Sequence, residues 1–136
     1  MNPEIRYDDL DYLSEGIFVL NGKPFTGTAI DRDVEGRKES EVLFVDGHED
    51  GVARSWHANG QLRSEIPYRL GVAHGSCRKW YEDGALKSEE KVEFGILMKR
   101  VVRDPNGDVV ESYERRPSDP LHEKVLKQRQ GSHRLG

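Results

Sequence analysis

The chain has 136 residues, 35% of them hydrophobic and 34% charged, with a formal net charge of −4. That is one domain's length with a thin core, and eleven aromatics at regular places argue against disorder. The single Cys77 excludes an internal disulfide and a cysteine-based metal cluster, and without a long apolar run or a signal-peptide pattern the expected home is the cytoplasm.

Residues 1–15 are acidic, with Asp8, Asp9, Asp11 and Glu15 interleaved with Tyr7, Leu10, Tyr12 and Leu13. A short strand and a single helical turn both fit. Gly16 to Leu20 is strand-like in its β-branched and aromatic content, and Asn21-Gly22 is the strongest short hairpin signal because both central positions of a type I′ turn need positive φ. Pro24 sits near the start of the next strand, where a missing donor is tolerated.

From there a 24-residue beat takes over. Gly47 to Glu65 and Gly71 to Glu89 superimpose without a gap. Gly27, Gly51 and Gly75 are in phase; so are Gly36, Gly60 and Gly84, and so are Gly47, Gly71 and Gly95. Gly107 continues the second set one residue early, and Lys99 replaces the glycine of the first. Self-similarity at such a period marks stacked supersecondary units. The units run over about 22–46, 47–70, 71–94 and 95–116, the outer two degenerate as capping repeats are.

Each unit reads strand, tight turn, strand. In the second, Val52–His57 is the first arm, Ala58-Asn59-Gly60 the turn and Gln61–Tyr68 the return arm; the third gives Ser76–Tyr81, Glu82-Asp83-Gly84 and Ala85–Val92. Stacking the return arms puts Leu62, Leu86 and Val109, the serines Ser40, Ser64 and Ser88, and Phe44, Tyr68 and Val92 on one face. The other face collects Glu39, Arg63 and Lys87, and Glu41, Glu65 and Glu89. Glu90 falls among apolar neighbours, an exception this alternation does not explain. The expected fold is all-β, an elongated single-layer antiparallel sheet of stacked hairpins.

After Arg115-Arg116, Pro117 and Pro120 break the beat. Ser118 or Asp119 can cap a short helix over Leu121–Gln130, with Pro120 at its first position and Leu121, Val125 and Leu126 as a narrow apolar stripe. The boundaries are therefore a repeat sheet over 1–116, a helical cap over 117–130, expected to lie over the last hairpin's unpaired edge, and a flexible tail over 131–136.

The written unit carries a glycine, a second glycine four residues on, a tryptophan about five beyond it, then Asn/Asp-Gly and a glutamate-bearing arm. It resembles the variant MORN repeat. The opening Gly22-Lys-Pro-Phe-Thr-Gly27, followed by these units, is similar to the YwqK-type antitoxin group, over roughly residues 16–114. The resemblance implies a single-layer sheet of hairpin repeats, no enzymatic activity and, for the bacterial members, a role as an antitoxin or immunity protein. MORN repeats elsewhere are associated with protein and lipid contacts. No catalytic residues carry over.

Few residues invite a chemical role. His48, His57 and His74 lack further ligands at metal spacing, and no ordered triad, phosphate-cradling glycine motif or carboxylate pair is legible. No catalytic, metal or cofactor site is expected, so the chain is not expected to be an enzyme. Cys77, followed by Arg78 and Lys79, reads either as a low-pKa thiol or as a small packed residue. Trp56 and Trp80 sit at equivalent positions, as a stacked aromatic row that fills the core or as a pair of anchors for a partner. Arg54 and Arg78, two residues earlier, are placed for cation–π contact with them.

Charge is uneven along the chain. Residues 1–50 carry thirteen acids against five bases, −8, whereas 51–114 balance and 115–136 carry +4. Asp31, Asp33, Glu35, Glu39 and Glu41 lie on the first predicted hairpin, followed by Asp46, Glu49 and Asp50. They form a solvated edge that resists pairing with other sheets, or a field complementary to a basic partner. With Trp56 and Trp80 they make up the candidate partner-binding set. The expected partner is a cognate protein toxin with a basic surface, bound by a monomer or weak homodimer, with nucleic acid and membrane disfavoured. A scaffold or adaptor joining other proteins is the alternative.

Overall fold

In the computed structural model of the chain, residues 4–135 are described. Thirteen strands and one helix follow a 3-10 turn at Tyr7–Asp9. The first three strands, β1 (Asp11–Tyr12), β2 (Phe18–Leu20) and β3 (Lys23–Pro24), form a small antiparallel sheet of their own. Four hairpins follow: β4 (Gly27–Arg32) with β5 (Lys38–Val45), β7 (Gly51–Trp56) with β8 (Leu62–Arg69), β10 (Gly75–Trp80) with β11 (Leu86–Glu93), and β12 (Ile96–Arg103) with β13 (Val109–Glu114). They lie side by side in chain order from β4 to β13, with two-residue strands β6 (His48–Glu49) and β9 (Val72–Ala73) pairing beside β5 and β8. The protein is mostly β, an antiparallel array of stacked hairpins with one C-terminal helix.

Two turn designs generate the array. Within each hairpin a tight loop returns the chain: the His57 N–H donates to the Gln61 carbonyl at 2.8 Å and the Gly60 N–H to the His57 carbonyl at 2.9 Å. The same pair of bonds recurs at Asp33–Arg37, Tyr81–Ala85 and Asp104–Asp108, and also at Leu13–Ile17. The loop between β1 and β2 is therefore a fifth copy, ahead of the four units legible in sequence. Between hairpins the chain turns through Asn21-Gly22, Asp46-Gly47, Leu70-Gly71 and Phe94-Gly95, each pair with positive φ at both residues, as a type I′ turn requires.

The first glycine set has its own task. At Gly27, Gly51 and Gly75, φ lies between 95 and 150°, and the chain bends there between a short strand and a long arm. Lys99 cannot take that bend cheaply, and β12 runs as one strand of eight residues with Met98 as the extra residue of a β-bulge against β11.

The core sits at the N-terminal end. Leu10, Phe25, Ala29 and Phe44 are buried together, with Ile5, Tyr7, Phe18, Leu20 and Val42 packed around them. Phe44 is 2% exposed, and its ring centroid lies 5.2 Å from that of Phe18 and 5.5 Å from that of Phe25. The outer edge of β4 is covered, because the Ile30 N–H donates to the Ile5 carbonyl at 2.8 Å and the Tyr7 N–H to Asp31 Oδ1 at 3.2 Å.

The opposite edge strand, β13, is exposed along its length. The helix α1 (Pro120–Leu135) does not lie over that edge. It packs on β12, with Val125 fully buried and Arg129 ion-paired to Glu93 of β11. Asp119 is its cap, Oδ1 accepting from the Leu121 N–H at 2.8 Å. Gly131 does not end the helix, an interior glycine costing only about 1 kcal/mol. Of the tail expected to be mobile, residues 131–135 continue the helix and Gly136 lies outside the described residues.

Candidate functional site

Each of the four hairpins of the large sheet carries the same irregularity near its loop. Ser55 faces Ser64 and Trp56 faces Leu62, leaving Arg63 as the extra residue of a β-bulge. The equivalent shifts leave Lys87 extra in the third hairpin, Glu39 in the first and Val110 in the fourth. A bulge re-aims the side chain it inserts. Strict alternation put Arg63 and Lys87 across the sheet from Ser64; instead both line one groove with Ser64 and Ile66. Glu39, Arg63, Lys87 and Val110 thus form one row, a single residue from each unit.

The groove, of about 790 Å³, spans the second and third hairpins and reaches the loop of the fourth at Pro105. Trp80 and Tyr81 form its aromatic part, and Lys79 joins Arg63 and Lys87 as its cations. The Lys87 ammonium stands 5.6 Å from the Tyr81 ring centre. Glu82 and Asp83, on the loop of the third hairpin, line the groove as well. Bonds between neighbouring units hold the walls. His57 Nε2 donates to the Trp80 carbonyl at 2.8 Å, and Tyr81 Oη donates to the Arg103 carbonyl at 2.8 Å one unit further on. Asn59 Nδ2 donates to the Glu82 carbonyl at 2.8 Å.

A smaller depression of about 70 Å³ adjoins it, lined by Asp33, Lys38, Glu39, Trp56, His57 and Arg63 among others. His57 and Arg63 belong to both. The structure therefore brings Asp33, Glu39 and Trp56 together and places Trp80 in the larger neighbour.

The remaining acidic candidates are engaged locally. Asp31 accepts from the Tyr7 N–H and from Ser40 Oγ, and Glu41 pairs with Lys38 at 3.4 Å. Asp33 caps its own loop through the Glu35 and Arg37 N–H groups, and those bonds, with the Arg37 guanidinium, hold its carboxyl below the usual range. Glu35 pairs with Arg37 at 3.2 Å. Much of the acidic field expected from residues 31–41 is neutralised on the spot, and Glu39 is the exposed carboxylate of the set that pairs with no described residue.

Trp56 and Trp80 are both half-buried and stack on no other aromatic ring among the described residues. The aromatic cluster is instead Tyr7, Tyr12, Phe18, Phe25 and Phe44. The cation over Trp56 is Lys38, at 5.8 Å, whereas Arg54 and Arg78 reach across the sheet to Glu65 and Glu89 at 2.9 and 2.7 Å. Glu90, the exception to the alternation, faces Arg100 on the next strand and pairs with it at 2.8 Å.

Cys77 is buried, and burial, with Glu90 nearby, pushes its thiol pKa up, the direction opposite to that of an activated thiol. Burial also raises the carboxyl pKa of Glu49. Among the described residues no group of three or more His, Cys, Asp or Glu is placed to hold a metal ion, and no helix is long and apolar enough to cross a membrane.

Sequence reasoning missed His57, Arg63, Lys79, Tyr81 and Lys87 as site residues. The signal was present in the row Glu39, Arg63, Lys87, but the bulge that turns it toward the groove leaves no mark a period-two reading can find. Residues 49–69 and 73–92 match the model of the MORN repeat variant, which covers the second hairpin and most of the third. No curated protein and no solved structure matches the chain significantly.

Proposed function

We propose that this chain is a non-enzymatic binding protein that acts by covering part of a partner protein, and that the partner is a cognate protein toxin it neutralises. The observation that carries the binding role is the aromatic and cationic groove at Trp80 and Tyr81, held open by bonds between successive repeats. A two-repeat match to the MORN repeat variant agrees with a scaffold for protein or lipid contacts. The narrower reading, an antitoxin of the cytoplasm, rests on the similarity of residues 16–114 to YwqK-type proteins.

Half-buried tryptophans beside exposed charge suit such a surface. An indole supplies contact area at small entropic cost, and the charges around it set encounter rate and partner choice. The test is co-expression with the product of the neighbouring reading frame. A toxic product, relieved of its toxicity by this chain and co-purifying with it, is the expected result. A harmless neighbour, or a toxic one that this chain neither binds nor blocks, overturns the neutralising role.

A further inference from the structure

We infer that the groove seats an acidic segment of the partner protein, its carboxylates meeting Arg63, Lys79 and Lys87 while an apolar side chain lies against Trp80. This rests on the binding reading above and names the chemistry of what binds.

Several arginines on the arms are answered from within the sheet: Arg54 by Glu65, Arg78 by Glu89 and Arg100 by Glu90. Arg63, Lys79 and Lys87 form no ion pair with a described residue, although all three are exposed and line one groove. Three like charges gathered there repel one another, and an anionic occupant lifts that repulsion while the two rings supply apolar contact.

The carboxylates around these cations select the kind of anion. Glu82 and Asp83 line the groove beside the cations, and Asp33 and Glu39 line the adjoining depression. A nucleic acid or an anionic membrane would meet Glu39, Glu82 and Asp83, which form no ion pair with a described residue, together with the −8 carried by residues 1–50. A short acidic segment of a protein, flanked by basic residues, fits both the cations and the carboxylates beside them. The pattern also admits a partner that is basic overall.

The experiment uses the full chain, isotope-labelled, titrated to millimolar concentration with a short peptide of two glutamates flanking a phenylalanine. The lysine counterpart of that peptide and phosphatidylserine vesicles serve as the comparisons. Amide shifts confined to Arg63, Lys79, Trp80 and Lys87 with the glutamate peptide are expected. The double variant Arg63→Glu, Lys87→Glu should weaken that peptide about tenfold or more and turn the preference toward the lysine peptide. Both substitutions are on exposed side chains, and the variant's amide spectrum reports whether the fold is kept. Equal binding of the two peptides, no binding, shifts elsewhere, or vesicle capture lost in the same variant each overturn the assignment. If the double variant still binds and blocks the toxin at full affinity, this placement fails and neutralisation stands. If the peptide binds as expected but no toxic partner exists, only neutralisation fails.

Discussion

Leu70 and Phe94 sit at φ 49 and 50°, left-handed backbone that bulky side chains seldom adopt. They do so because the type I′ turn between hairpins requires it, and the glycine that follows each takes the second position. Leu70 is 69% exposed, so its side chain gains little there. Replacing it with asparagine, which tolerates this conformation, should raise stability by on the order of 1 kcal/mol in denaturant unfolding. Glu49 carries strain of another kind. Burial raises its carboxyl pKa above the ordinary value, so the folded state holds this proton more tightly than the unfolded chain does. Its effect on stability is therefore unfavourable at neutral pH and fades as pH falls through the raised value. Glu49→Gln should raise the melting temperature at pH 7 and leave it little changed at pH 4.

At the scale of elements, α1 is tied to the sheet by the buried Val125 and by Arg129 on Glu93. The Arg129 hydrogen bond holds the Glu93 carboxyl below its usual pKa. That contribution is present above the ordinary carboxylate range and is lost as pH falls through the lowered value. Amide protection in α1, taken relative to the intrinsic exchange rate at each pH, should fall on acidification before protection in β12 does, and Arg129→Ala should remove the difference. The hairpins were largely legible in sequence, because Asn-Gly and Asp-Gly loops and phased glycines have few alternatives. The turns at Leu70-Gly71 and Phe94-Gly95 were not, since their first residues are poor turn formers and their form is set by the stacking of neighbours. Nor was the short hairpin over β1 and β2, whose loop lies twenty residues ahead of the next and so outside the beat. The bulges were hidden for a related reason: an extra residue in one strand shows only against its partner.

For the whole molecule, the two ends of the sheet differ. The N-terminal end is plugged by residues 4–10 and an aromatic core; the C-terminal end finishes in an exposed strand with Val109, Val110 and Tyr113 on it. Stability in such an array spreads from unit to neighbouring unit. Phe44→Ala should cost about 3–5 kcal/mol and loosen the first hairpins most, with amide exchange rising in β4 and β5 well before β12. A uniform rise along the chain would show that the sheet melts as one block.

The bulge row also sets a measure. Its members recur once per hairpin, that is, every two strands, a pitch of roughly 10 Å. An extended chain laid across the hairpins advances about 3.3 Å per residue, so successive bulge side chains address every third residue of whatever crosses them. Sister proteins of this build could change what they read by altering one residue in each unit, with every turn and every core contact left in place.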